Sequence, residues 1–137
     1  SLLIIDTGPG FKNDEARQKW NNYAHSTANK FEEIGLESLK GRSIEMNPDN
    51  HQNADGLIKA ARGMLTQKDD RIINSLPNID VPSLIIVGEN DKPFLSAADY
   101  METKIHNSKK VIIPDAGHAV NIDQPNIFNT EVLTFLS

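Results

Sequence analysis

The sequence contains no cysteine. That excludes disulfides, thiolate metal sites and a thiol nucleophile, and it fits a cytoplasmic protein. Aromatic residues are sparse, at 6%, with a single tryptophan. No apolar run approaches the ~18 residues of a membrane span. The longest runs, 2–5 and 84–87, are strand-sized. Basic residues are scattered, with Lys109–Lys110 the one local doublet, and the net charge is -5. There is thus no basic patch to displace phosphate counterions, which argues against a nucleic-acid partner. The N-terminus, Ser1-Leu2-Leu3-Ile4-Ile5-Asp6, has no initiator Met, basic n-region or small-residue cleavage site, so it does not read as a signal peptide. It starts inside a strand-like run.

What is present is ordinary globular composition: 137 residues, 38% hydrophobic and 24% charged, enough for one domain with a real core. Leu2-Leu3-Ile4-Ile5, stopped by Asp6-Thr7-Gly8-Pro9-Gly10, suits a strand buried on both faces. Asn13 is placed to cap a helix, with Asp14 and Glu15 favourable against its N-terminal dipole. Trp20, Ala24, Ala28 and Phe31 then repeat at helical spacing up to Gly35, a suitable stop. Residues 41–53 read as a polar loop, 55–65 as a second helix weakened by Gly63, and 71–76 as a short helix ended by Pro77. The 14–76 block carries no strand signal.

From residue 81 the pattern changes. Ser83-Leu84-Ile85-Ile86-Val87-Gly88 is again a buried strand, followed by a loop over 89–94. Ser96 is expected to cap a helix with Ala98, Met101 and Ile105 on its core face. Lys110-Val111-Ile112-Ile113 is a third strand, 115–122 a loop, and Asp123 the expected cap of a last helix starting near Pro125. Strand, helices, strand, helix, strand, helix predicts an α/β fold with about three parallel strands flanked by helices. Such folds place their sites at the C-terminal edge of the strands.

Three polar segments fall just past those strand ends: Asp6-Thr7-Gly8, Glu89-Asn90-Asp91 and Asp115-Ala116-Gly117-His118. Asp91 and His118 are candidates for a hydrogen-bonded pair, in which the carboxylate fixes the imidazole tautomer and the other ring nitrogen serves as base. Taken singly, each has a plainer reading: an Asp after a strand is a common turn former, and a loop His is commonly a surface residue. The Asp-then-His order on consecutive strands tips the balance towards the pair. Asp6 is the alternative acid, though Asp-Thr-Gly-Pro-Gly reads first as turn chemistry. Asp115, His118 and Asp123 match no metal motif, and no cofactor is expected. Gly8 and Gly10 are not followed by the Gly-Lys-Ser/Thr of a phosphate cradle. Trp20, Tyr23 and Phe31 read as packing residues; Met64 and Phe94 read as core packing, with the lining of a lid-side pocket as the alternative.

The stretch Pro82-Ser83-Leu84-Ile85-Ile86-Val87-Gly88-Glu89-Asn90-Asp91 resembles the acid-bearing strand of the α/β-hydrolases. Pro114-Asp115-Ala116-Gly117-His118, with Asp123-Gln124-Pro125 and a final helix ending Thr134-Phe135-Leu136, resembles their catalytic-histidine loop and closing helix. Many relatives carry Glu where Asp123 stands. The resemblance implies a partial domain: 1–13 the strand and turn after the nucleophile region, 14–76 a helical lid, and 77–137 the C-terminal core. It implies Asp91 as acid, His118 as general base, and a small ester-like substrate attacked by an activated Ser; an Asp nucleophile would imply epoxide or halide chemistry. The nucleophile should lie on a Gly-x-Ser-x-Gly elbow. No such elbow exists in this sequence; Ser43, in Gly41-Arg42-Ser43-Ile44-Glu45, lacks the second glycine and does not follow a strand. The expectation is a fragment with acid and base but no nucleophile, inactive alone, whose first strand has an unpaired edge that invites self-association. The rival is a non-catalytic α/β-hydrolase-like binding module.

Overall fold

The computed structural model describes residues 1–41 and 46–137. Ser43 therefore lies outside the described residues. Two compact units are formed, one from 1–9 with 71–137 and the other from 10–70.

The first unit holds the sheet. Strands β1 (Leu2–Ile5), β2 (Ser83–Gly88) and β3 (Ser108–Ile113) are parallel, in the order β1-β2-β3. The register sets Leu2 against Ser83 and Ser83 against Ser108. Every residue of β2 is buried. Because side chains alternate along a strand, its apolar run serves two cores at once. Ile85 and Val87 pack with Ala98, Met101 and Ile105 of the α4 region (Lys92–Lys104) and with Leu76. Leu84 and Ile86 pack with Ile113, Ala116 and Val120, against Phe128, Val132 and Phe135 of α6 (Pro125–Leu136). Each such buried aliphatic side chain contributes about 1.5–3 kcal/mol. A one-residue slip of β2 would exchange these two sets, so the register is strongly specified.

The second unit is built on α1 (Asp14–Ile34) and α2 (Asp55–Arg62). Asn13 caps α1 as its position foretold, accepting from the Ala16 amide at 2.8 Å. Gly35 ends the helix at φ 58°, the left-handed region a glycine enters without strain. Phe31, Leu39 and Ala54 form the core. Trp20 donates its indole N–H to the Leu65 carbonyl at 2.7 Å, and the Asn21 side chain bonds the Gln67 backbone in both directions. Tyr23 and Met64, expected to pack, are 53% and 84% exposed. The short helix α3 (Arg71–Ser75), read from sequence with the 14–76 block, falls with the sheet unit, where Ile73 and Leu76 join the core.

One helix start and one helix cap differ from the sequence expectation. Helix α4 begins at Lys92, not at Ser96, with Pro93 in its first turn, where the missing N–H is no loss. Helix α6 has Gln124 at its cap position. Asp123 is drawn instead to the Gly117 amide, and residues 120–123 form a turn of helix, α5 (Val120–Asp123), where a loop was expected. No helix among the described residues is long and apolar enough to cross a membrane.

Candidate active site

The C-terminal ends of the three strands carry the polar segments, as a parallel sheet requires. Backbone hydrogen bonds zip the second and third together. Glu89 N–H donates to Ile113 O and Asn90 N–H to Ala116 O, both at 2.9 Å. The Glu89 carboxylate in turn accepts from the Asp115 amide at 3.2 Å. Gly88 permits this approach: a Cβ there would lie 2.1 Å from the Gly117 carbonyl oxygen. Asp115 takes a positive φ of 53°, and the Gly117 amide is held by the Asp123 carboxylate at 2.7 Å.

These bonds set the geometry of one side-chain pair. His118 Nδ1 lies 2.8 Å from Asp91 Oδ2. The Asp91 side chain is 5% exposed and that of His118 49%. A carboxylate only accepts, so Nδ1 carries the proton and Nε2 of the neutral ring is left as an acceptor. A buried acid behind a half-exposed imidazole is the arrangement a general base needs. One face of the ring is covered: Phe94, in the first turn of α4, stacks on it with centroids 4.8 Å apart and planes at 29°.

Asp6, the alternative acid, is bonded elsewhere. It follows β1 with φ 45°, and its oxygens accept from the Gly88 and Val120 amides. Burial lifts its pKa above the ordinary Asp value, opposed by those two amides and by His118. Among the described residues, no group of three or more His, Asp or Glu is arranged to hold a metal ion.

Sequence reading found Asp91 and His118 but not what supports them. Phe94, read as core packing or the lining of a lid-side pocket, also stacks on His118; an aromatic residue three positions after the acid was the available signal. The contact of Gly88 with Gly117 joins residues on neighbouring strands and has no local signature.

The fold has counterparts among solved structures. MenH from S. aureus superposes with a TM-score of 0.77 at 25% identity, over 98% of this chain and 57% of that one. This chain is an α/β-hydrolase-fold domain. A thermophilic esterase from Thermogutta terrifontis superposes on the same domain with a TM-score of 0.71 at 25% identity, over 98% of this chain and 54% of the esterase. In sequence, the α/β-hydrolase-fold domain is 34% identical over 85 residues to a Bacillus subtilis (strain 168) protein put forward as a 2-succinyl-6-hydroxy-2,4-cyclohexadiene-1-carboxylate synthase. That match covers 62% of this chain and 31% of the relative. The domain spans a little over half the length of these solved structures. No family model matches it.

Proposed function

We propose that this α/β-hydrolase-fold domain supplies the acid and base of a hydrolase acting on small ester-like molecules. His118 takes a proton from the attacking hydroxyl and returns it to the leaving group; Asp91 holds the ring and stabilises the imidazolium. The nucleophile, a serine on a Gly-x-Ser-x-Gly elbow, and the amides that hold the oxyanion come from chain outside these 137 residues. The observation that carries the reading is the 2.8 Å contact between a buried carboxylate and a half-exposed imidazole at the strand ends. The likeness to a thermophilic esterase supports the substrate class.

The test has two parts. The 137 residues alone should not turn over p-nitrophenyl acetate; turnover abolished by His118→Ala would overturn the missing nucleophile. The polypeptide extended upstream through the elbow should hydrolyse short p-nitrophenyl esters. There Asp91→Asn should lower kcat by roughly 10³–10⁴-fold, as loss of the orienting carboxylate does in serine hydrolases. An upstream coding sequence without an elbow, or variants with unchanged kcat, would defeat the reading and favour a binding module.

A further inference from the structure

Beside the Asp91–His118 pair lies a buried ionisable group that the proposed chemistry does not use. Asp6 is 9% exposed. A turn-forming Asp bonds the backbone about two residues on. Asp6 does not: Oδ1 accepts from the Gly88 amide at 3.3 Å, 82 positions away, and Oδ2 from the Val120 amide at 3.1 Å, 114 positions away. Gly88 ends the strand that leads to Asp91, and Val120 is two residues past His118. One side chain thus ties the end of β1 to both segments that deliver the pair. Its charge also interacts with both partners, attracting His118 and repelling Asp91.

We propose that Asp6 is a positioning residue for the Asp91–His118 pair, whose carboxylate clamps the two segments that carry them and adds a second negative charge near the imidazole. The proposal rests on the reading of His118 as base. Desolvation is the cost of placing a carboxylate here, and two amide donors offset it. The second charge favours the imidazolium, the form His118 takes when it has accepted the proton. The ionisable groups bearing on Asp6 are His118, from the β3–α5 loop, and Asp91, from the β2–α4 loop.

The test is NMR on the 137-residue chain, unmodified and as Asp6→Asn. Asn matches the carboxylate in shape but is uncharged and offers one oxygen to two amide donors, so one tie must break. Amide exchange at Gly88 or Val120 should quicken by about tenfold, the equivalent of one lost hydrogen bond. The His118 imidazole resonances should shift at the same time. Faster exchange with unmoved His118 resonances is what a purely structural tie gives, and it would overturn the proposal, as would no change in either. If the variant does not fold, the unmodified chain decides. The Gly88 and Val120 amide protons should then follow one common titration step, with its midpoint above the ordinary Asp value of about 3.9; separate steps, or none, would overturn it. None of these readouts needs turnover. A failed esterase assay and a failed clamp are therefore distinguishable.

Discussion

At the scale of single residues, Phe94 is the side chain whose role reaches furthest beyond its burial. It packs against the Ile85–Val87 core and stacks on His118. Aromatic pairing of this kind is worth about 0.5–1.5 kcal/mol, so the stack favours one orientation of the imidazole ring. Phe94→Leu keeps an apolar side chain in the core and removes the ring face. In the extended, nucleophile-bearing polypeptide, kcat/KM should fall about tenfold, the equivalent of ~1.4 kcal/mol. Thermal melting should change little. A drop in stability with unchanged kcat/KM would assign Phe94 to packing alone. Asp91 and His118 were legible because turn position, residue type and strand order all pointed to them. The stack was not, because it depends on α4 beginning at Lys92, ahead of the expected cap Ser96, which brings Phe94 into the first turn.

Elements were legible wherever one physical signal dominated. Continuous apolar runs marked β1 and β2, Asn13 and Gly35 bounded α1, and the stripes of α4 and α6 had helical period. A cap was misassigned where its side chain had a better partner at a distance. Asp123 prefers the Gly117 amide, a bond that stiffens the His118 loop and that local pattern cannot reveal. The same tertiary control separates two glycines that look alike in sequence. At Gly88 a methyl group meets the backbone of the 116–117 segment, with Ala116 O at 2.4 Å besides Gly117 O, and backbone cannot swing aside. At Gly56, in the first turn of α2, it meets nothing within 4 Å. Gly88→Ala should therefore cost about 3 kcal/mol or more and displace the His118 loop. Gly56→Ala should stabilise the chain by about 0.5–1 kcal/mol. Urea unfolding of the two variants beside the parent checks both signs, and equal midpoints would refute the contrast.

For the molecule as a whole, the sheet order has a consequence for solution behaviour. Among the described residues β1 pairs only with β2, through Leu2 N–H to Pro82 O and Asp6 N–H to Ile86 O. Hydrogen-bonding direction alternates along a strand, so the amides and carbonyls of Leu3 and Ile5 point to the other side, where the sheet supplies no neighbouring strand. An edge with no Pro, no charge before Asp6 and four consecutive aliphatic residues has none of the features that discourage strand addition. The simplest closed assembly uses a two-fold axis, which sets β1 antiparallel to its copy and joins two three-stranded sheets into one of six. The 137-residue chain should accordingly shift from the mass of one chain to that of two as its concentration rises in light scattering. Association by other surfaces would leave Leu3 and Ile5 untouched. Amide exchange at these two positions should therefore slow with concentration while that of exposed helix residues stays constant. A polypeptide long enough to place its own strand beside β1 should lose the effect, whereas a concentration-independent monomer of the 137 residues would show that this edge is not adhesive.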